Sequence, residues 1–153
     1  MKKAEVKFIN ITKKFNETVA VDNISCNFEA GTLTTLLGPS GCGKTTSLRL
    51  IAGLERATDG KILIDGEDVT IQPATDRDVS MVFQSYALFP HMNVIENVSY
   101  GLKMINIKKE EYIEKSIETL KLVNLEGYEK RMPSELSGGQ QQRVAVARAI
   151  VLK

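Results

Sequence analysis

The sequence predicts an α/β fold that combines a strand-rich part with a helical part, and three observations lead to this prediction. Residues 32–37 have the composition of a buried strand, and a glycine-rich loop and the amphipathic stretch 46–52 follow directly. Strand-like segments occupy most of the chain before about Gly31. Apolar residues recur at helical spacing between Glu111 and Val123, and Pro133 ends the helical region. A length of 153 residues fits about one domain.

Turn and cap residues mark the ends of predicted strands and of a predicted helix in the N-terminal part. Residues 6–9, 20–24 and 61–64 are rich in the β-branched and aromatic side chains that favour strands. Asp65 and Gly66 follow the last of these segments, and this dipeptide is a strong indicator of a hairpin turn. Gly53 follows the stretch 46–52, where a glycine commonly ends a helix. The N-terminal part is therefore expected to form β-hairpin-like strands.

Residues 38–45, here called the phosphate loop, match the pattern G-x-x-x-x-G-K-[ST] at every fixed position. Glycines allow successive backbone N–H groups to point at one phosphate chain, and the following helix N-terminus adds partial positive charge. Lys44 supplies a full charge for the terminal phosphates, and the Thr45 hydroxyl is a hard oxygen ligand suited to Mg²⁺. The flanking strand and helix pattern disfavours a chance glycine turn. The predicted ATP-binding residues here are Gly38, Pro39, Ser40, Gly41, Cys42, Gly43, Lys44, Thr45 and Thr46.

A second glycine motif, Leu-Ser-Gly-Gly-Gln, precedes the helical run 141–150. Ser137 and Gln140 fit the S-x-x-Q capping box, which is the purely structural interpretation. A capped helix with two glycines at its start is also an anion site that permits close backbone approach, and both interpretations can hold at once. The residues of this motif are Leu136, Ser137, Gly138, Gly139 and Gln140.

With both motifs in this order, the sequence resembles the ATP-binding subunit of ATP-binding-cassette (ABC) transporters. Residues 136–140 match that family's signature letter for letter, and the resemblance covers nearly all of the chain. It implies a P-loop NTPase fold of the ABC ATPase type, with a P-loop core and β-subdomain at residues 1–94. A helical subdomain at 95–136 and a signature helix at 137–153 would follow. It also implies ATP and Mg²⁺ as cofactors, and a head-to-tail homodimer in which each signature closes the other chain's phosphate loop.

The same resemblance gives roles to Gln84 and Phe15. Gln84 follows the short predicted strand 81–83 and would contact Mg²⁺ and the attacking water, sharing the catalytic work with Lys44. Without the flanking match, Gln84 would be interpreted as an ordinary surface residue. Phe15 lies where the family places an aromatic residue that stacks on adenine. Tyrosine is commoner at that position, and packing of Phe15 into a small sheet is the alternative.

Residues 84–94, here called the contact segment, resemble the corresponding segment in the ATP-binding subunits of bacterial importers of sugars, polyamines, ferric iron, sulfate or phosphonates. In that family the region abuts transmembrane permease subunits, which implies a peripheral location on the cytoplasmic face of the cell membrane. Its apolar residues would be an unusual exposed run on a monomer, and packing under the following helix is the alternative. These residues are Leu88, Phe89, Met92 and Val94. His91 is the only histidine and is expected to lie in a loop near the subunit contact.

Composition restricts the remaining possibilities. The formal net charge is +1 and charged residues make up 25%, so no basic excess indicates a nucleic-acid partner, and none is expected. No apolar run is long enough to span a membrane. Cys26 and Cys42 lack metal or redox spacing. Cys42 lies near a helix N-terminus, where thiolates are favoured, and is expected to show incidental reactivity.

The resemblance also implies elements that this sequence does not contain. In the family, a strand ending in an aspartate, a catalytic glutamate and a switch histidine follow the signature helix, and two strands lie between 32–37 and 79–83. We therefore expect a truncated product that does not turn over ATP alone, and a nonfunctional or nonhydrolytic fragment is one alternative. A non-transport ABC ATPase, for example in DNA repair, is the other. The interval between Gly38 and Ser137 contains no heptad run or cysteine cluster, which favours transport.

Overall fold

A four-stranded antiparallel sheet dominates the first of two units in the computed structural model, which describes residues 4–152. This first unit ends at Val79. The strands are β1 (Val6–Phe15), β2 (Thr18–Phe28), β3 (Asp59–Ile64) and β4 (Glu67–Asp68), in the spatial order β2-β1-β3-β4. Asp65 and Gly66 join β3 to β4 with φ values of 51° and 81°, as a tight hairpin turn of the predicted kind requires. The predicted strands 6–9, 20–24 and 61–64 are confirmed.

One face of this sheet builds the core of the first unit. Phe8 lies opposite Cys26 on β2 and Ile62 on β3, and a register shift between Phe8 and Ile11 brings both of these β1 side chains into the same core. The helix α1 (Lys44–Ile51) contributes the fully buried Leu50. The buried cluster contains Phe8, Ile11, Val21, Leu50, Ile62 and Val69.

Helix α1 ends as its sequence predicts, and a buried arginine stabilises that end. Gly53 has φ 72°, and its N–H donates to the Leu50 carbonyl oxygen. The Arg77 guanidinium, 6% exposed, donates to the carbonyl oxygens of Leu50 and Ile51 at 2.6 and 2.9 Å. The last carbonyls of α1 therefore find partners inside the chain.

Two predicted strands are wrong. Residues 32–37 are extended but unpaired, with Leu33 97% and Leu37 88% exposed. Residues 79–83 also lack strand pairing. A strand forms only where a neighbour supplies a hydrogen-bond ladder, and within residues 4–152 no strand pairs with either segment. The apolar composition was identified correctly, but no strand of residues 4–152 covers these segments.

Helices make up the second unit, which begins at Ser80. They are α2 (Val94–Met104), α3 (Lys109–Leu122) and α4 (Gly138–Ile150), and a single 3₁₀ turn (Pro133–Glu135) precedes α4. The predicted helical spacing between Glu111 and Val123 and the predicted helix 141–150 are confirmed. The core residues of this unit are Val94, Val98, Leu102, Leu120, Leu125, Leu136, Val144, Ala147 and Val151. None of the helices found among the described residues has the length and apolar character needed to cross a membrane.

Candidate functional site

The phosphate loop leads into α1 without a side-chain cap. The N-cap residue is Gly43, with φ 88°, and no side chain within residues 4–152 accepts a hydrogen bond at this helix end. The first-turn N–H groups of a helix have no intrahelical partners, and the helix dipole places partial positive charge there. The first turn of α1 contains no acidic residue to neutralise that charge. This end of α1 therefore presents donors and positive potential to an anion.

Lys44 adds a full positive charge to the same loop. Its ammonium donates to the carbonyl oxygens of Gly38 at 2.8 Å and Pro39 at 2.6 Å, and lies 3.3 Å from the Cys42 Sγ. The side chain thus folds back across the loop and fixes its curvature. An incoming phosphate chain competes for this ammonium with two neutral carbonyls, and charge-assisted bonds to an anion are the stronger ones.

Two glycines of the loop are required by their surroundings. Gly43 combines φ 88° with a position where a Cβ would overlap the Ala20 carbonyl oxygen. Gly38 has φ 154°, and a Cβ there would lie 2.7 Å from the Cys42 Sγ. Side chains are therefore excluded both by backbone conformation and by contact.

The remaining predicted residues of this unit are accessible. Thr45 is exposed and Thr46 is half-buried in the first turn of α1, so the Thr45 hydroxyl is free to act as a hard oxygen donor suited to Mg²⁺. Phe15 is 43% exposed at the end of β1 and lies outside the buried cluster of its unit. The Lys13 ammonium lies over the Phe15 ring, 4.5 Å from its centroid. The role of Phe15 in adenine stacking stays a prediction.

The capping box proposed for the signature forms. The Gln140 Oε1 accepts from the Ser137 N–H at 2.8 Å, and the Gln140 N–H donates to the Ser137 Oγ at 3.4 Å. Gln140 also donates to the Tyr128 hydroxyl at 3.2 Å, which holds the amide in place. Leu136, 7% exposed, anchors the motif in the core of the second unit.

The two signature glycines are not explained by the capping box. Gly138 and Gly139 are exposed, and neither has the positive φ that favours glycine. A Cβ on either would meet nothing within 4 Å among residues 4–152, apart from the nearby backbone of α4 itself. Glycine in a helix costs up to ~1 kcal/mol relative to alanine at each position. This helix end therefore carries a stability cost with no compensating contact inside the described chain.

Gln84 lies in a tight turn at the start of the contact segment. The Tyr86 N–H donates to the Phe83 carbonyl oxygen at 2.9 Å, which closes the turn and leaves Gln84 exposed. Tyr86 and Ala87 then follow with φ values of 61° and 48°. Consecutive left-handed residues other than glycine cost on the order of 1–2 kcal/mol each. Other contacts must hold this backbone in place.

The apolar residues of the contact segment mostly face inward, so the idea of an exposed apolar run is wrong. Val94 is fully buried, and Leu88 packs against the core of the second unit. The Phe89 ring lies 4.7 Å from the Tyr100 ring, centroid to centroid. Packing under the following helix, the alternative interpretation, is correct for these side chains. The exposed residues of the segment are Gln84, Ser85, Ala87, Pro90 and His91.

Comparison with known families decides what these two motifs belong to. A family model described as ABC transporter matches residues 21–153, most of the chain. The chain belongs to the ABC transporter family. The resemblance inferred from the phosphate loop and the signature is therefore confirmed.

Within the ABC transporter family, the chain is similar to ATP-binding proteins that are named for iron import. The Fe(3+) ions import ATP-binding protein FbpC of Brucella abortus (strain 2308) is 65% identical over 148 residues, which are 97% of this chain and 42% of the relative. The protein named Fe(3+) ions import ATP-binding protein FbpC 1 of Haemophilus influenzae is 60% identical over 144 residues, 94% of this chain and 44% of the relative. The chain thus spans less than half the length of these relatives.

A solved structure shares the fold. It is the ATP-binding cassette MJ0796, described as a dimer in a post-hydrolysis state bound to ADP and Pi. The TM-score is 0.85 at 35% identity, and the match covers 95% of this chain and 69% of that one. The predicted P-loop NTPase fold of the ABC ATPase type is therefore confirmed.

Two residues of this ABC transporter chain escaped the sequence analysis. Arg148 on α4 donates to the carbonyl oxygens of Ala87 at 2.7 Å and Tyr86 at 2.9 Å. Asn97 on α2 is fully buried, and its amide group bonds the backbone of Phe89 through both oxygen and nitrogen. Arg148 is the one charged side chain in the apolar run 144–150, a pattern that could have identified it. Asn97 follows Glu96 and precedes Ser99 by two positions, and no such pattern distinguishes it.

Proposed function

We propose that this chain binds Mg-ATP through the phosphate loop as part of the ATP-binding subunit of an importer. The proposal is supported by the uncapped N-terminus of α1, with Gly43 at the N-cap and no acidic residue in the first turn. Lys44 adds its charge at the same place. Backbone donors, helix dipole and ammonium converge as the recognition of a triphosphate demands.

The proposed chemistry is phosphoryl transfer to water, in which the protein contributes mainly position and electrostatics. Mg²⁺, when bound, neutralises phosphate charge and orders the phosphate oxygens. Thr45 presents its exposed hydroxyl to the metal, and Lys44 exchanges the carbonyls of Gly38 and Pro39 for the terminal phosphates. Gln84, exposed in its turn, would orient water and metal in the same proposal.

We further propose that the signature faces the ATP of a second copy of this chain. The observation that carries this proposal is the pair of exposed glycines at the start of α4, which no contact within residues 4–152 requires. Glycine allows a ligand or another backbone to approach the helix end closely. The dimeric state given for the cassette MJ0796 is a second support.

Substituting Ser137 tests the dimer proposal. Aspartate caps a helix as well as serine does, so Ser137→Asp keeps the fold and ATP binding of each chain. Its carboxylate would oppose the partner's terminal phosphate and cost several kcal/mol in a partly desolvated site. Sedimentation velocity with Mg-ATP should show a dimer for wild type and a monomer for Ser137→Asp. An equally strong ATP-dependent dimer in the variant would leave the capping box as the whole explanation of Ser137.

For the transported solute we propose ferric iron, delivered through permease subunits that the exposed residues of the contact segment meet at the cytoplasmic face of the membrane. The names of the relatives that are 60–65% identical to this chain support this choice over sugars, polyamines, sulfate and phosphonates. Uptake of radioactive Fe³⁺ by cells that lack the gene provides the test. A full-length subunit that contains this sequence, but not its Lys44→Ala variant, should restore it, and loss of sugar or polyamine uptake with normal iron uptake would contradict the proposal.

A further inference from the structure

A charged side chain of the signature helix α4 holds the backbone of the contact segment. The Arg148 guanidinium donates to the carbonyl oxygens of Ala87 at 2.7 Å and Tyr86 at 2.9 Å, 61 and 62 positions away in sequence. The same group lies over the Phe89 ring, 5.4 Å from its centroid. One arginine therefore contacts three residues of the segment at once.

The backbone at this contact is in an unfavourable conformation. Tyr86 and Ala87 are consecutive, neither is glycine, and both have φ in the left-handed region. Such residues persist only where the surrounding structure determines them. The two carbonyls face a single guanidinium, so these hydrogen bonds favour this conformation together with the bond from the Tyr86 N–H to the Phe83 carbonyl oxygen.

A second anchor holds the other end of the segment. The Asn97 Nδ2 donates to the carbonyl oxygens of Phe89 and Met92, at 3.1 and 2.9 Å, and its Oδ1 accepts from the Phe89 N–H at 2.8 Å. Asn97 belongs to α2, whereas Arg148 belongs to α4. The segment is therefore fixed by α2 from Phe89 onward and by α4 at Tyr86 and Ala87.

Burial makes the contact of Arg148 costly to lose. The side chain is half-buried, and desolvation by this burial lowers the pKa of its guanidinium. Two charge-assisted hydrogen bonds and a ring face compensate for that loss. Lysine lacks the planar, forked donor geometry with which the guanidinium meets both carbonyls and the ring face at once.

We propose that Arg148 is a positioning residue that ties the contact segment, including the turn at Gln84, to the signature helix. When α4 shifts in response to nucleotide, the carbonyls of Tyr86 and Ala87 move with it. This proposal rests on the function proposed above, in which nucleotide binds at the signature and a partner protein binds at the contact segment. The hydrogen-bonded link itself lies within the second unit.

Amide hydrogen exchange of wild type, Arg148→Ala and Arg148→Lys tests the link. In Arg148→Ala we expect exchange within residues 84–89 to rise about tenfold, while the amides of α2 and α3 stay within about twofold of wild type. Arg148→Lys should lie between the two. Millimolar guanidinium should partly restore protection in Arg148→Ala, which a general loss of stability would not allow.

Arg143→Ala is the matched control, because Arg143 is an exposed arginine on the same helix. It should leave exchange within residues 84–89 unchanged. An equal rise in Arg143→Ala, a uniform rise across the unit, or no rise in Arg148→Ala would overturn the proposal. If Arg148→Ala does not fold, Arg148→Lys decides, since a rise confined to residues 84–89 supports the link and no rise refutes it.

Nucleotide separates this proposal from the function on which it rests. In wild type, Mg-ATP should slow exchange within residues 84–89, and Arg148→Lys should lose most of that change while its Kd for ATP stays within about threefold. A wild-type protein that does not bind ATP contradicts the proposed function but leaves the nucleotide-free exchange result intact. Unaltered ATP-induced slowing in Arg148→Lys overturns the link and leaves the proposed function standing.

Discussion

The N-termini of α1 and α4 both follow or contain glycines, yet they treat their free backbone donors in opposite ways. Helix α1 has no side-chain cap and starts after the left-handed Gly43. Helix α4 has a complete capping box formed by Ser137 and Gln140. The first arrangement leaves its donors for a ligand, whereas the capping box of α4 satisfies the N–H groups of Ser137 and Gln140 inside the chain. The end of α1 is therefore open to an anion by itself, whereas the end of α4 offers an anion the close backbone approach that its glycines permit.

The glycines differ in the same way. Gly38 and Gly43 are required by positive φ and by neighbouring atoms, so contacts inside the described chain account for both of these phosphate-loop glycines. Gly138 and Gly139 have ordinary φ and open space around them. Their explanation must lie outside the described residues, and this asymmetry is the central support for a partner at the signature.

Removing the ammonium of Lys44 should have the largest effect. Lys44→Ala deletes both the phosphate charge and the bonds to the Gly38 and Pro39 carbonyls. A lost charge-assisted contact of about 2–3 kcal/mol corresponds to a Kd for Mg-ATP raised on the order of 100-fold. Titration calorimetry measures it, with Arg49→Ala as control, because Arg49 is an exposed cation in the last turn of α1. Equal affinities in wild type and Lys44→Ala would remove Lys44 from the site.

Adding a methyl group at Gly43 should destabilise the first unit. The new Cβ would overlap the Ala20 carbonyl oxygen at a backbone φ of 88°. Strain and steric contact together should lower the free energy of unfolding by about 2–3 kcal/mol. Urea denaturation of Gly43→Ala measures this loss. Gly41→Ala is the control for φ alone, because Gly41 has φ 82° but nothing within 4 Å of its Cβ position. A smaller loss in Gly43→Ala than in Gly41→Ala would contradict the contact argument.

Alkylation of Cys42 should report whether nucleotide occupies the loop. Cys42 is exposed and its Sγ lies 3.3 Å from the Lys44 ammonium, so a bulky adduct would displace that charge. Mg-ATP should slow labelling of Cys42 by about tenfold or more at saturating concentration, and prior labelling should block binding. Cys26, half-buried with a pKa raised by burial, provides the internal control in the same mass spectrum. Equal labelling of Cys42 with and without Mg-ATP would show that the loop is not occupied.

Deleting the cap of α4 should have a smaller effect. Ser137→Ala removes the oxygen that accepts from the Gln140 N–H, and loss of an N-cap costs ~1 kcal/mol. Ser137→Asp should retain stability, so thermal unfolding of the pair isolates the cap from any role toward a partner. A Ser137→Ala variant as stable as wild type would show that the long 3.4 Å bond contributes nothing.

Local pattern was enough to predict much of this molecule. The hairpin turn at Asp65, the end of α1 at Gly53 and the capping box at Ser137 follow from residues within a few positions of each other. Residues 32–37 were predicted wrongly because strand pairing depends on distant segments that composition does not reveal. The left-handed Tyr86 could not be predicted either, since Arg148, which holds its carbonyl, lies 62 positions away.

The central claim is tested most directly by measuring both the stability and the ATP-dependent dimerisation of Gly139→Ala. Inside the described chain nothing opposes a methyl group at Gly139, so the free energy of unfolding should rise by ~0.5–1 kcal/mol. The same methyl group should prevent the close approach of a partner's nucleotide and abolish the ATP-dependent dimer in sedimentation velocity. A more stable protein that no longer dimerises is the predicted result. A Gly139→Ala protein that is more stable and dimerises as well as wild type would contradict the claim that this glycine serves a partner.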